Sequence, residues 1–311
     1  MINCAVIGAG QMGQQHCRVL KKLSHVNLVS VCDKNLPADY QDYRLMLKKE
    51  TIDAVIVATP TKSHYLISRD CLKAGKHVLV EKPITETVEQ AKRLINLAKT
   101  NQLILTVGHI ERFNPAIKKL KAMVQNNQLG GIKSMICQRL GLFDQRVKNT
   151  NVVKDIAIHD LDIVNYLLAS RPKKINACGG RAILKKQIDY ADILLDYGSA
   201  SVHIQVNWIT PIKVRKLLIA GTKGYVELDY LQQTLNYYRH RYSQNYADFK
   251  QLIDKFDRRP QRIKIRKEEP LKLELQSFCQ DIVRHRQPQV TPEEGLAALK
   301  IALKISKMIQ G

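Results

Sequence analysis

Lys82 stands between Glu81 and Pro83, where the apolar run Val78-Leu79-Val80 ends. A lysine so placed can donate a hydrogen bond to a reacting oxygen, or it can serve as a strand-end cation paired with Glu81. Further along, "VKDIAIHDLDIVNYLL", residues 153 to 168, sets Asp155 and His159 four apart on one side of a helix, and Asp162 continues the row. Ile156, Ile158, Leu161, Val164, Leu167 and Leu168 form the apolar face of the same segment. An imidazole held by a carboxylate is an acid or base that works near neutral pH, although pairs at this spacing are also frequent on ordinary helices.

A third set is "GAGQMG", Gly8 to Gly13, between an apolar strand and a helix. A turn this tight needs glycine where a side chain would block the approach of a pyrophosphate to the helix amino terminus. Alone the pattern is weak, but Asp33 stands 20 residues after Gly13 at the end of the second strand, where a carboxylate can accept hydrogen bonds from an adenosine ribose. Asp33 favours NAD, since a carboxylate would repel a 2'-phosphate, while the adjacent Lys34 leaves room for NADP. The third strand runs into "ATPTKSHYLI", residues 58 to 67, where Thr59-Pro60-Thr61 breaks the strand and Ser63 or His64 opens a helix. There Ser63 reads as a cap and His64 as either a surface residue or a site residue.

The elements that must position these groups follow two rhythms. Strands are expected at 2 to 7, 26 to 32, 53 to 58, 77 to 80 and 103 to 107, with helices near 11 to 22, 39 to 49, 63 to 74 and 86 to 99. That βαβ series implies a doubly wound parallel sheet, a Rossmann-type α/β domain, whose carboxyl edge carries the ligand. After about residue 110 come a helix near 112 to 126, a strand near 132 to 141 and a helix from about 155 to 169. Strands at 174 to 184, 190 to 196, 200 to 207, 213 to 220 and 224 to 229 then form a mostly antiparallel open sheet in a C-terminal α+β domain. Helices at 271 to 286 and 292 to 310 close the chain, the second with Thr291 as N-cap, Pro292 at its first position and Glu294 at its third. The expected boundaries are 1–110 for a cofactor-binding domain, 111–290 for a substrate-binding and oligomerisation domain, and 291–311 for a helix returning to the first domain.

Composition narrows the classes. The 311 residues are 45% hydrophobic and 25% charged, which is ordinary for a globular chain and excludes disorder. No basic leader and no long apolar run open the chain, so a cytosolic protein away from membranes is expected. Seven scattered cysteines without a CxxC pair suggest neither a disulfide framework nor a thiolate metal site. The 50 Lys and Arg outnumber the 28 Asp and Glu, for a net charge of +22 that favours anionic partners. The basic residues are dispersed, apart from "RRPQRIKIRK" at 258 to 267, and no nucleic-acid motif accompanies them. A phosphorylated small molecule is therefore expected and nucleic acid is not.

Gly8-Ala9-Gly10-Gln11-Met12-Gly13, Asp33, Thr59-Pro60-Thr61 with His64, Glu81-Lys82-Pro83, Gly108-His109, and Asp155 with His159 together resemble the Gfo/Idh/MocA family of NAD(P)-dependent sugar oxidoreductases. The resemblance spans almost the whole chain, and Glu-Lys-Pro with Asp-xxx-His is its specific part. Ala157 departs from it, since many members carry glycine there. By position it implies Lys82, Asp155 and His159 as the catalytic set. It implies NAD contacts from Gly8, Gly10, Gln11, Met12, Gly13, Asp33, Thr59, Pro60, His64, Glu81 and Lys82, and substrate contacts from Lys82, His109, Arg112, Asn114, His159 and Trp208. Asn114 at a turn before Pro115 and a lone Trp208 also have structural readings.

Residues 107 to 117 and 207 to 231 bear a finer resemblance, to the branch that oxidises the 3-hydroxyl of UDP-N-acetylglucosamine. The runner-up is an inositol or free-sugar dehydrogenase; an NAD-binding sensor or a nucleic-acid binder are the alternatives of other classes. In the implied chemistry His159 takes the hydroxyl proton in preference to Lys82, whose ordinary titration near ~10.4 lies too high for a base; Asp155 orients the His159 ring, Lys82 stabilises alkoxide character, Glu81 places Lys82 and Pro83 fixes the turn. An open sheet with one apolar face implies a homodimer or homotetramer through residues 174 to 229.

Overall fold

The computed structural model describes residues 1–142, 150–240 and 259–310. The chain divides into two compact units, Met1–Phe113 with Glu268–Ile301, and Asn114–Lys267 with Ala302–Gly311.

In the first unit, β1 (Ile2–Ile7), β2 (Val26–Cys32), β3 (Ala54–Val57), β4 (His77–Glu81) and β5 (Leu105–Gly108) form one parallel sheet in the order β2-β1-β3-β4-β5. The helices α1 (Gln11–Leu20), α2 (Tyr43–Lys49), α3 (Thr61–Lys73) and α4 (Val88–Thr100) provide the crossovers. The chain winds outward from β1 to β2 and in the other direction from β3 to β5, so the order reverses between β1 and β3. Gly8 leaves β1 at that point, and a crevice outside the carboxyl ends of such strands is where α/β sheets bind ligands. Ala54–Val57 is buried along its whole length, as a central parallel strand covered on both faces must be. Three helices begin away from their expected positions: α2 starts at Tyr43, because Asp42 accepts from the Arg44 N–H at 2.9 Å, α3 starts at Thr61, ahead of Ser63, and α4 starts at Val88, because Thr87 accepts from the Gln90 N–H at 3.2 Å.

Residues 268 to 290, expected in the second domain, group with the first unit, and the end of the last helix, from Ala302, groups with the second. The helix α7 (Pro270–Val283) turns Leu271, Leu275, Phe278, Cys279 and Ile282 onto Cys4, Val6, Val19, Leu20, Ile56 and Leu79. Each of those large side chains gains about 1.5–3 kcal/mol from burial, and the sheet face above β1 and β3 is where it is gained. The final helix α8 (Pro292–Gln310) begins with the expected reciprocal cap. Thr291 Oγ1 accepts from the Glu294 N–H at 3.3 Å, and Glu294 Oε2 accepts from the Thr291 N–H at 2.9 Å.

The second unit carries an eight-stranded sheet in the order β13-β12-β11-β10-β6-β9-β8-β7. Its strands are β6 (Ile132–Leu142), β7 (Lys174–Gly180), β8 (Tyr190–Asp196), β9 (Ser201–Asn207), β10 (Ile209–Gly221), β11 (Gly224–Asp229), β12 (Thr234–Arg239) and β13 (Gln261–Arg262). Neighbours are antiparallel except β6 and β9. Alternation sorts the faces: Val202, Ile204 and Val206 of β9 are buried, whereas His203 and Gln205 between them are half-exposed. β12 and β13 were not expected; their Asn, Tyr, Gln and Arg residues break the alternation that marks a strand. The helix expected near 112 to 126 is two pieces, a 3-10 turn Ile110–Phe113 and α5 (Pro115–Gln125), parted by Asn114 as N-cap. Arg258, which begins the concentrated basic run, lies outside the described residues.

Candidate functional site

The glycine turn leaves β1 with Gly8 at φ +105°, a conformation L side chains rarely adopt, and a Cβ there would lie 2.5 Å from the Ala58 carbonyl oxygen. Gly10 differs. Its Cβ would meet no protein atom within 4 Å, so packing does not require glycine there, whereas a phosphate approaching the backbone does. Gln11 and Met12 are exposed at the first turn of α1, beside that opening. Asp33 closes the turn from the second strand: Oδ2 accepts from Ala9 N at 2.7 Å, and Oδ1 from Asn35 N at 2.8 Å and Leu36 N at 2.9 Å. Burial pushes the Asp33 carboxyl up, but the three N–H groups outweigh it and hold the carboxyl below its usual value. A fixed anion in this place suits a ribose diol and opposes a 2'-phosphate.

Thr59, Pro60, Glu81 and Lys82 leave the ends of β3 and β4, neighbouring strands of the same sheet. Glu81 is 8% exposed, and its Oε1 accepts from His16 Nε2 at 2.8 Å while Oε2 accepts from the Lys82 main-chain N–H at 3.2 Å. Burial raises the Glu81 carboxyl, yet the His16 hydrogen bond and the nearby His16, Lys82 and His64 outweigh it and keep it ionised below its usual range. Glu81 thereby holds the backbone on which Lys82 is mounted. The Lys82–Pro83 peptide is cis. His64 is 1% exposed, which removes the surface reading. Its Nδ1 lies 2.8 Å from the Pro83 oxygen and its Nε2 2.7 Å from the Thr59 oxygen, so the ring ties together the turns after β3 and β4. Burial pushes the His64 imidazole down, with the two carbonyls and Glu81 pulling against it.

In the second unit Asp155 and His159 are half-buried, and they flank a change in helix geometry. Val153–Ala157 is a π turn, after which α6 (Ile158–Leu168) continues as regular α-helix. Such turns are rare and are frequently found at functional sites. Asn151 fixes its start, accepting from the Asp155 N–H at 2.9 Å through its main-chain oxygen and from the Lys154 N–H at 2.9 Å through Oδ1. Directly after His159, the buried Asp160 takes two hydrogen bonds from Arg139 of β6, at 2.9 and 3.0 Å. The Arg139 guanidinium lies over the Tyr230 ring, 4.8 Å from its centroid, and the Tyr230 carbonyl accepts from Asn114 Nδ2 at 3.1 Å. Asn114, Tyr230, Arg139 and Asp160 therefore form one connected set, which reaches α6 at the residue that follows His159 in the chain.

The other expected substrate contacts are buried. Arg112 is 1% exposed and pairs with Glu294 at 2.7 Å; His109 is also 1% exposed, and Trp208 is 5% exposed, its main-chain N–H donating to the Asp189 main-chain oxygen at 2.8 Å. Asn114 is 2% exposed, and its Oδ1 caps α5 by accepting from the Ala116 N–H at 3.1 Å. The Arg112 ion pair and the Asn114 cap are structural bonds that these two side chains make in the fold. His16, which meets Glu81 in the first unit, and Arg139, Asp160 and Tyr230, which are linked to one another in the second, were not singled out from the sequence. The one signal for His16 is its place on α1 three residues after Gly13, on the helix face that meets the sheet. Among the described residues no group of His, Cys, Asp and Glu could hold a metal ion, and no helix is long and apolar enough to cross a membrane.

Residues 2–109 match the family described as "Oxidoreductase family, NAD-binding Rossmann fold", and residues 117–227 match the GFO/IDH/MocA C-terminal domain. The chain belongs to the Gfo/Idh/MocA family. It is 27% identical to UDP-N-acetylglucosamine 3-dehydrogenase of Acidithiobacillus ferrooxidans over 98% of this chain and 96% of the relative. A solved structure of that enzyme superposes with a TM-score of 0.86 at 26% identity, covering 99% of this chain and 98% of that one. Myo-inositol 2-dehydrogenase of Thermotoga maritima is 23% identical over 98% of this chain and 95% of the relative. As a Gfo/Idh/MocA oxidoreductase the chain is an NAD-dependent dehydrogenase of sugar or polyol hydroxyls. The open backbone at Gly10 and the fixed carboxylate of Asp33 fit the pyrophosphate and ribose of NAD.

Proposed function

We propose that the protein oxidises the 3-hydroxyl of UDP-N-acetylglucosamine to the 3-keto sugar, as a step towards a 3-amino sugar of lipid A or a surface glycan. The observation that carries this reading is the match to a UDP-N-acetylglucosamine 3-dehydrogenase along nearly the full length of both chains, at 27% identity. A net charge of +22 suits a substrate that brings a diphosphate. Inositol oxidation is the second reading, favoured by the 23% identity to a myo-inositol 2-dehydrogenase.

Gly8, Gly10 and Asp33 would hold NAD, which would supply the acceptor for the hydride leaving the sugar carbon. The chain's own groups supply the rest. His159 removes the hydroxyl proton, and Asp155 orients its ring. Lys82 donates a hydrogen bond to the reacting oxygen and stabilises the negative charge that develops on it. Glu81, held by His16, fixes the backbone of Lys82. The protein works in the cytoplasm as a homodimer or homotetramer assembled through residues 174 to 229, where Leu194 is 50% exposed and Tyr190 is 38% exposed. The test is the rate of NAD reduction with UDP-N-acetylglucosamine, other UDP-sugars, myo-inositol and free glucose. The reading expects kcat/KM to be highest for UDP-N-acetylglucosamine; preferential turnover of inositol with no response to the nucleotide sugar contradicts it.

A further inference from the structure

Glu274 has no part in the chemistry above, yet it is 2% exposed on α7, and neither of its carboxyl oxygens has a hydrogen-bond partner among the described residues. The stripe on which it lies, between Leu271 and Phe278, packs against the sheet. Its charged neighbour is Glu81, whose carboxylate is already committed to His16 Nε2 and the Lys82 N–H. Two buried carboxyls that repel each other do not both ionise readily. Glu81 has the donors, so Glu274 is the one that keeps its proton: burial first, and Glu81 second, raise its carboxyl well above the usual range. The elements packed around α7 bring few other ionisable groups. From α1 come His16 and Arg18, the latter paired with Glu269 at the exposed start of α7. From the turn Ile110–Phe113 come Glu111 and Arg112, Arg112 being paired with Glu294; β1 brings the Cys4 thiol, which is hydrogen-bonded to Cys279.

We propose that Glu274 is a positioning residue that holds a proton at neutral pH and so sets no second negative charge against Glu81, so that His16 stays on Glu81 and Glu81 stays on the turn bearing Lys82. Its effect on turnover rests on the role of Lys82 given above. Ionisation of Glu274 at alkaline pH sets a second anion against Glu81 and loosens that turn, which gives turnover an alkaline limit.

The sign follows from linkage. A carboxyl that binds its proton more tightly when folded contributes stability that is complete below the unfolded value, about 4.3, and is lost as pH rises through the folded value. The test compares the full-length protein with Glu274→Gln, which mimics the neutral acid. The variant is expected to melt above the parent at pH 8, to lose that advantage as the pH falls towards about 4.5, to bind NAD within about twofold of the parent, and to show a flattened alkaline limb of turnover. The parent itself should show the infrared carbonyl band of an un-ionised carboxylic acid at pH 7, a measurement that needs no variant. A variant that melts below the parent with the same pH dependence, or a parent without that band, overturns the proposal. The melting and infrared arms involve no sugar, so they stand apart from a failure of the UDP-N-acetylglucosamine reading.

Discussion

Arg139 and Asp160 form a two-pronged buried ion pair, Nε to Oδ2 at 2.9 Å and Nη2 to Oδ1 at 3.0 Å. The pair pins the first turn of α6 to β6 at the residue next to His159. Both side chains are nearly inaccessible, at 4% and 1%, so neither charge can turn to solvent if the other is removed. Asp160→Ala should cost about 3–5 kcal/mol, because it strands the Arg139 guanidinium. Chemical denaturation checks this, with replacement of both residues by apolar side chains expected to recover much of the loss.

NAD should bind more tightly than NADP, and Asp33→Ala should narrow the gap while leaving chemistry little changed. Calorimetric titration of both cofactors checks this; equal affinities in the parent would contradict it.

Asp33 also gives a pH dependence. Its carboxyl is held low by the Asn35, Ala9 and Leu36 N–H groups despite burial. A carboxyl lowered by folding contributes stability that is present above the unfolded value, about 3.9, and is lost as pH falls through the folded value. The melting-temperature deficit of Asp33→Asn relative to the parent should therefore shrink as the pH is taken below about 4.

His159→Ala should depress turnover and flatten the acid limb of the pH profile, since that limb reports protonation of the base. NAD affinity should be near the parent's. A steady-state profile that keeps its acid limb in the variant would assign the base elsewhere.

The parts of this architecture that were legible in the sequence are those set by local pattern. Buried parallel strands show as unbroken apolar runs, the glycine turn shows as spacing, and Thr291 with Glu294 shows as a cap three residues long. What stayed hidden depends on distant pairing. His16 meets Glu81 across 65 residues and Arg139 meets Asp160 across 21, and nothing in either segment names its partner. Arg139 looks like any polar residue on an alternating strand. The apolar stripe of α7 is equally plain, but periodicity does not say which sheet it will cover, and it covers the first unit's. The π turn Val153–Ala157 leaves no trace in the 3.6-residue period on either side of it.

The most direct test concerns Lys82, the residue that the end of β4 and the Glu81 carboxylate hold in place. NAD affinity, melting temperature and the single-turnover rate with UDP-N-acetylglucosamine are measured on Lys82→Met and on the parent. Removing a donor that acts on developing charge should slow turnover by about 10²-fold to 10³-fold, with NAD affinity and melting temperature close to the parent's. A variant that melts earlier yet reduces NAD at the parent's rate would show that Lys82 only caps a strand, and would contradict the account.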